Sequence, residues 1–253
     1  MPDGALPPGV MFVHGGPTAS FPRYYQDDVS FFTSRGLAVV AVDYTGSSGR
    51  GRRYRTALDG QWGVADVADC IGVARVLLAQ GRVSSFVIRG MSAGGLTVLS
   101  ALAQPDQPFV GGVSYYGVAD LEDQAERTHD FESHYHDRLI GPWPHARDLY
   151  RQRSPLSHMT SVKQPVLLLH GLRDSVVPAA QSRAVANALS ANNVPHALIT
   201  FPDEGHAFSD SKAIATALEA ELSFYGQVFG FDPPGVAPLE LSPEPTATLE
   251  DLQ

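Results

Sequence analysis

Six short apolar runs alternate with helix-like segments along this chain, and the third run passes into its helix through Gly90-Met91-Ser92-Ala93-Gly94-Gly95. The run before this turn is Phe86-Val87-Ile88, and the segment after it is Leu96-Thr97-Val98-Leu99-Ser100-Ala101-Leu102. A turn that tight between a strand and a helix leaves no room for side chains at its flanks, so glycines must supply the space. Ser92 is then presented above the end of a sheet, with its hydroxyl free to react.

The other strand-like runs lie near residues 10–13, 37–43, 109–115, 165–170 and 196–201, with the Phe86 run at 85–90. Helix-like segments lie near 22–35, 64–80, 94–104, 178–191 and 210–229. Val64, Val67, Ala68, Ile71, Ala74 and Leu78 form an apolar stripe at helical spacing. In the last helix Ile214, Leu218, Leu222, Phe224 and Tyr225 are expected to face the body. Strands alternating with helices predict an α/β fold, a mostly parallel sheet with helices on both faces. At 253 residues one domain with a substantial core is expected.

A serine nucleophile needs a base and an orienting acid. Pro165-Val166-Leu167-Leu168-Leu169-His170 runs into Gly171-Leu172-Arg173-Asp174, and Ala197-Leu198-Ile199-Thr200-Phe201 into Pro202-Asp203-Glu204-Gly205-His206. Both candidates follow the C-terminal end of a strand, where open parallel sheets build their sites. The order Ser…Asp…His is that of the α/β-hydrolase fold. In this reading His206 is the base that activates Ser92, and Asp174 holds the imidazole. Asp203 is too close in sequence to His206 to serve, and His170 is read as a packed or turn residue. Val10-Met11-Phe12-Val13 leads into His14-Gly15-Gly16-Pro17, where the N–H of Gly15 or Gly16, with that of Ala93, forms an expected oxyanion hole. Losing one such donor typically costs about 100- to 1000-fold in rate.

Composition narrows the partners. Hydrophobic residues make up 43% and charged residues 18%, and the formal charge is −9. Asp232, Glu240, Glu244, Glu250 and Asp251 all fall after residue 231, where there is no Lys or Arg, so the rest is only mildly acidic. Nucleic acid and anionic membrane are therefore not expected partners. Arg50, Arg52, Arg53 and Arg55 read as a solvated loop. Cys70 is the only cysteine and reads as a buried small hydrophobe. No leader-like or membrane-spanning run is present in the sequence, which makes the cytoplasm the expected location. No cofactor is expected. The run Thr128 to Asp137 is rich in His, Asp and Glu but lacks a ligand spacing such as H-E-x-x-H, so it is read as a solvated face and no metal is expected. Residues 1–231 are read as the catalytic domain, with a lid-like insertion at 116–160. Tyr115, Tyr116 and Trp143 are candidates for a pocket that takes an apolar side chain, with ordinary core packing the alternative. Trp62 is expected to pack under the loop after the second strand. Residues 232–253, acidic and Pro-rich, are expected to be disordered.

Further motifs give the chain a family likeness. They are Asp43-Tyr44-Thr45-Gly46-Ser47-Ser48-Gly49-Arg50-Gly51, Trp62-Gly63-Val64-Ala65-Asp66, Tyr115-Tyr116-Gly117-Val118-Ala119-Asp120-Leu121, Ser154-Pro155-Leu156 and Asp203-Glu204-Gly205-His206-Ala207-Phe208. Over roughly residues 8–231 the sequence resembles the prolyl oligopeptidase family of serine peptidases, in its acylaminoacyl-peptidase-like branch. The resemblance implies Ser92, Asp174 and His206 as the triad, the glycine after His14 with Ala93 as oxyanion donors, and peptide or blocked amino-terminal substrates without metal or cofactor. Many members place an arginine two residues after the triad aspartate; here Val176 stands there. Members usually carry a β-propeller and two further strands before the first run seen here. On that comparison Leu37–Val42 becomes an apolar sheet edge through which the chain associates with another. The chain then reads as a truncated or separately encoded catalytic portion. A serine peptidase is the expected activity; an esterase or amidase of the same fold, or an inactive fragment that needs a propeller-bearing partner, are the alternatives.

Overall fold

The computed structural model describes residues 5–127 and 133–243. Six strands form one sheet: β1 (Gly9–Val13), β2 (Ala38–Val42), β3 (Phe86–Met91), β4 (Phe109–Tyr115), β5 (Val166–Gly171) and β6 (His196–Phe201). Their order across the sheet is β2-β1-β3-β4-β5-β6, and every pair is parallel. All six follow the apolar runs of the sequence. The helices are α1 (Asp27–Thr33), α2 (Arg52–Thr56), α3 (Ala65–Ala79), α4 (Ala93–Leu102), α5 (Leu121–Arg127), α6 (Ser133–Leu139), α7 (Arg147–Arg153), α8 (Ala179–Ala191) and α9 (Ser211–Phe229). A 3₁₀ turn spans Pro155–Ser161.

Successive side chains of a strand point to opposite faces, and here both faces are covered. Met11, Val13, Phe86, Ile88, Val166 and Leu168 pack with Cys70 of α3, Val98 of α4 and Val185 of α8. Val10, Phe12, Val87, Val113, Leu167 and Leu169 pack on the other face with Phe32 of α1 and Leu222, Phe224 and Tyr225 of α9. Trp62 is buried and stacks on His136, with ring centroids 5.8 Å apart. Among the described residues no helix is long and apolar enough to cross a membrane.

Three expectations are corrected. First, α1 begins at Asp27 rather than near residue 22, because the preceding loop is tied down elsewhere: the Phe21 N–H donates to Asp43 Oδ1 at 2.9 Å. Second, Ile214 does not face the core and is 41% exposed. Third, residues 232–243 of the acidic tail are docked. Their prolines and carboxylates suggested disorder, but Leu241 is buried, the Leu239 N–H donates to Ser223 Oγ at 2.7 Å, and Ser242 pairs with His196. The rest of the tail lies outside the described residues. Among the described residues the edge strand β2 pairs on one side only, with β1. Leu37, just before it, and Val42 at its end are buried, Ala38 to Val40 are half-buried and Ala41 is exposed.

Candidate active site

Ser92 sits between β3 and α4 with φ 53° and ψ −120°, the left-handed side of conformational space for a non-glycine residue. Such a conformation costs on the order of 1–3 kcal/mol and persists only where its surroundings hold it. They do so here. The Ser92 N–H donates to the Tyr115 carbonyl at 2.9 Å, and the Ser92 carbonyl accepts from Gly95 N–H at 2.9 Å. Helix α4 can approach the sheet because Gly94 has no side chain: a Cβ there would lie 2.4 Å from the Val13 carbonyl oxygen.

The two downstream loops deliver their side chains to Ser92. The Ser92 hydroxyl donates to His206 Nε2 at 2.8 Å, and His206 Nδ1–H donates to Asp174 Oδ2 at 2.8 Å. The second carboxylate oxygen of Asp174 accepts the Val176 and Val177 N–H groups, each at 2.9 Å. Burial alone pushes the Asp174 carboxyl up. Hydrogen bonds from His170, His206 and the Val177 N–H more than offset it and hold the group well below the usual carboxylate range. Asp174 is therefore an anion that fixes the imidazole tautomer. Asp203, the other nearby carboxylate, is exposed and pairs with Arg173.

The loops after β5 and β6 approach each other as closely as backbone allows. A Cβ on Gly171 would lie 2.3 Å from the Glu204 carbonyl oxygen, and the Arg173 N–H donates to that same oxygen at 2.9 Å. The Glu204 side chain, buried, accepts the Ser209 N–H at 2.7 Å and the Asp210 N–H at 2.9 Å, which braces the loop that carries His206.

Gly15 and Gly16 lie on the loop after β1. A Cβ on Gly15 would stand 3.0 Å from the Met91 carbonyl oxygen and 3.3 Å from Ser92 Cβ, so this backbone flanks the serine. Ala93 opens α4, so its N–H is one of those a helix leaves without an i−4 partner. The Tyr44 hydroxyl lies 3.0 Å from the His14 carbonyl and 2.9 Å from that of Pro17; the Tyr135 hydroxyl donates to the Gly16 carbonyl at 3.1 Å. His14, held between the Gly15 carbonyl at 2.8 Å and the Ser47 hydroxyl at 2.7 Å, has its pKa lowered by burial.

Of the three pocket candidates, the structure brings two together. Tyr115 and Tyr116 both line a cavity of about 310 Å³ with Met91 and Phe208. The Tyr116 ring lies 4.9 Å from that of His206. Trp143 is elsewhere, against Tyr150 at 5.1 Å on the α7 side, because its loop leads into that helix. Among the described residues no group of three or more His, Cys, Asp or Glu is placed to hold a metal ion. Residues 128–132 of the His- and Asp-rich run lie outside them.

Two residues escaped the sequence reading. His170, read as a packed strand end, is fully buried against Asp174: its Nε2 lies 2.9 Å from the Val177 carbonyl and 3.3 Å from Asp174 Oδ2, and its Nδ1 2.7 Å from Ser182 Oγ. Nε2–H is thus the donor and Nδ1 accepts the Ser182 hydroxyl. Arg89, on β3 two residues before Met91, lies under the site. Its guanidinium pairs with Glu221 at 3.1 Å and Asp28 at 3.3 Å and stacks over Phe12 and Tyr115. A lone arginine within an apolar strand was the available signal.

Known proteins share this architecture. A solved structure of a Mycobacterium tuberculosis puromycin-hydrolyzing peptidase matches with a TM-score of 0.91 and 48% identity, over 95% of this chain and 37% of that one. Dipeptidyl aminopeptidase BIII of Pseudoxanthomonas mexicana is 29% identical over 85% of this chain and 33% of its own length. The human acylamino-acid-releasing enzyme is 31% identical over 83% of this chain and 30% of its own. The chain thus spans about a third of the length of the curated relatives it matches. The family model described as the prolyl oligopeptidase family matches residues 23–232. With that model covering most of its length, this chain belongs to the prolyl oligopeptidase family.

Proposed function

We propose that this chain is the catalytic part of a serine peptidase that cleaves peptide bonds through an acyl-enzyme on Ser92. The observation that carries the reading is the hydrogen-bonded line from Ser92 Oγ through His206 to Asp174, each link 2.8 Å. Ser92 Oγ attacks the scissile carbonyl and passes its proton to His206 Nε2. Asp174 stabilises the imidazolium that forms. The N–H groups of Ala93 and of Gly15 or Gly16 receive the oxyanion. His206 then protonates the leaving amine, and water attacks the acyl ester by the same route in reverse.

The substrate is proposed from the relatives. The names of the matched proteins refer to puromycin, dipeptides and acylamino acids. What these share is an amide or peptide bond next to a chain end, which makes short amino-terminal acyl groups the expected acyl half. Val176 places no positive charge near Asp174, so a substrate carbonyl receives no guanidinium from that position.

The test is labelling with a fluorophosphonate probe, followed by aminoacyl amide, peptide and aryl ester substrates. Wild type is expected to label and Ser92→Ala is not. Folded wild-type protein that fails to label overturns the reading. Labelling with ester cleavage alone moves the activity to an esterase.

A further inference from the structure

We propose that the cavity beside His206 is a subsite for the leaving group, the amine half of the cleaved bond, and that it takes an aromatic or basic residue in preference to an acidic one. This rests on the reading of Ser92, His206 and Asp174 as a triad. The cavity, of about 310 Å³, lies between α1, α9 and the ends of β3 and β4. Its walls include Met91, which precedes Ser92, and Ala207 and Phe208, which follow His206. Tyr116 joins these walls: its ring is 4.9 Å from the His206 imidazole, and its hydroxyl is 3.4 Å from Met91 Sδ.

The direction follows from proton transfer. The leaving nitrogen must receive its proton from His206 Nε2, so its substituent lies alongside the imidazole, where Tyr116 and Phe208 stand. The volume is at the lower end of the range for ligand pockets and suits one ring-sized group. Rings form the interior: Tyr115 and Tyr116 each stand 5.6 Å from Phe208.

Charge selects among such groups. Arg89 on the floor is neutralised by Glu221 and Asp28. Asp27 adds an exposed carboxylate at the rim and forms no ion pair among the described residues. Three carboxylates against one guanidinium leave the surroundings negative, which favours a basic side chain and repels an acidic one.

The experiment compares substrates that share one acyl group and differ in the amine released: phenylalaninamide, lysinamide, glutamic acid amide or methylamine. Wild type is expected to cleave the first two at least about tenfold faster in kcat/KM than the glutamic acid substrate, a ratio typical of one side-chain contact. Ile214→Trp, at the exposed mouth, is expected to lower the phenylalaninamide-to-methylamine ratio by about tenfold. Asp27→Lys is expected to abolish the preference for lysine over glutamate. Rates that ignore the leaving group overturn the subsite. Calorimetry with free phenylalaninamide reads the cavity without chemistry, in Ser92→Ala protein with and without Ile214→Trp. Binding that weakens with Ile214→Trp supports the cavity as a binding site for such groups; where the wild-type chain also fails to label with fluorophosphonate, it is the triad reading that is overturned. Binding that is absent, or equal in the two proteins, overturns the subsite.

Discussion

Asp174 carries more than its partner histidine requires. His170 sits behind it in full burial and completes the set of donors around the carboxylate. Replacing His170 with alanine leaves a buried Ser182 hydroxyl and the Val177 carbonyl without their partner, at a cost of about 1–3 kcal/mol. We expect His170→Ala to lower the melting temperature and to slow amide hydrolysis by about tenfold, with loss of carboxylate orientation as the cause. Fluorophosphonate labelling of Ser92 should persist; unchanged hydrolysis would reduce His170 to packing alone. That Ser92, His206 and Asp174 would meet was legible in the sequence, because each follows an apolar run and their order is restrictive. His170 was not, because a histidine that ends a buried strand looks the same whether it touches a carboxylate or a carbonyl. Trp143 misled for the related reason that an aromatic residue in an insertion carries no record of which way its loop turns.

The elements were legible where burial is two-sided. Parallel strands covered on both faces become continuous apolar runs, as in β1, β3, β4 and β5; the edge strands β2 and β6 are apolar runs too, though only partly buried. The start of α1 and the docking of residues 232–243 were hidden because side-chain and backbone bonds decide them: Asp43 to the Phe21 N–H, and Ser223 to the Leu239 N–H. Close packing of α4 against β1 also leaves a testable mark. A methyl group at Gly94 meets the Val13 carbonyl oxygen at 2.4 Å, so Gly94→Ala must push the elbow off β1. We expect it to cost about 1–3 kcal/mol and to abolish probe labelling. At Gly72, in α3, a methyl group would meet no atom within 4 Å. Gly72→Ala should therefore stabilise by about 0.5–1 kcal/mol and leave labelling intact. Thermal melts of the two variants check both signs.

At the scale of the whole molecule, two buried charge centres set the response to mutation and acid. Arg89 and Glu221 join β3 to α9 in the core, with the Tyr225 hydroxyl donating to Glu221 at 2.7 Å. Glu221→Ala leaves the buried guanidinium with Asp28 alone and should cost up to about 3–5 kcal/mol, read by urea denaturation. Asp66 lies fully buried under α4, accepting from the Gly63 N–H and the Thr97 hydroxyl, and burial raises its pKa to about 6. A carboxyl raised in the folded state binds its proton there first, so its contribution to stability rises as pH falls through about 6. The depressed Asp174 does the reverse, and its contribution is lost only as pH falls below the unfolded carboxylate value near about 4. Between pH 7 and pH 5 the difference in unfolding free energy between wild type and Asp66→Asn should therefore shift by about 1.4 kcal/mol in favour of wild type. A constant difference would show that Asp66 keeps its charge across that range.

Ser92 and His206 stand 114 residues apart in sequence and 2.8 Å apart in space. At about 5–20 residues per second, a ribosome that has just added the serine needs on the order of ten seconds to reach the histidine. Until then Ser92 has no histidine to accept its proton. The hydrogen-bonded line therefore assembles late in synthesis, once β5, β6 and their loops have closed over the elbow, and the proposed activity would begin only then.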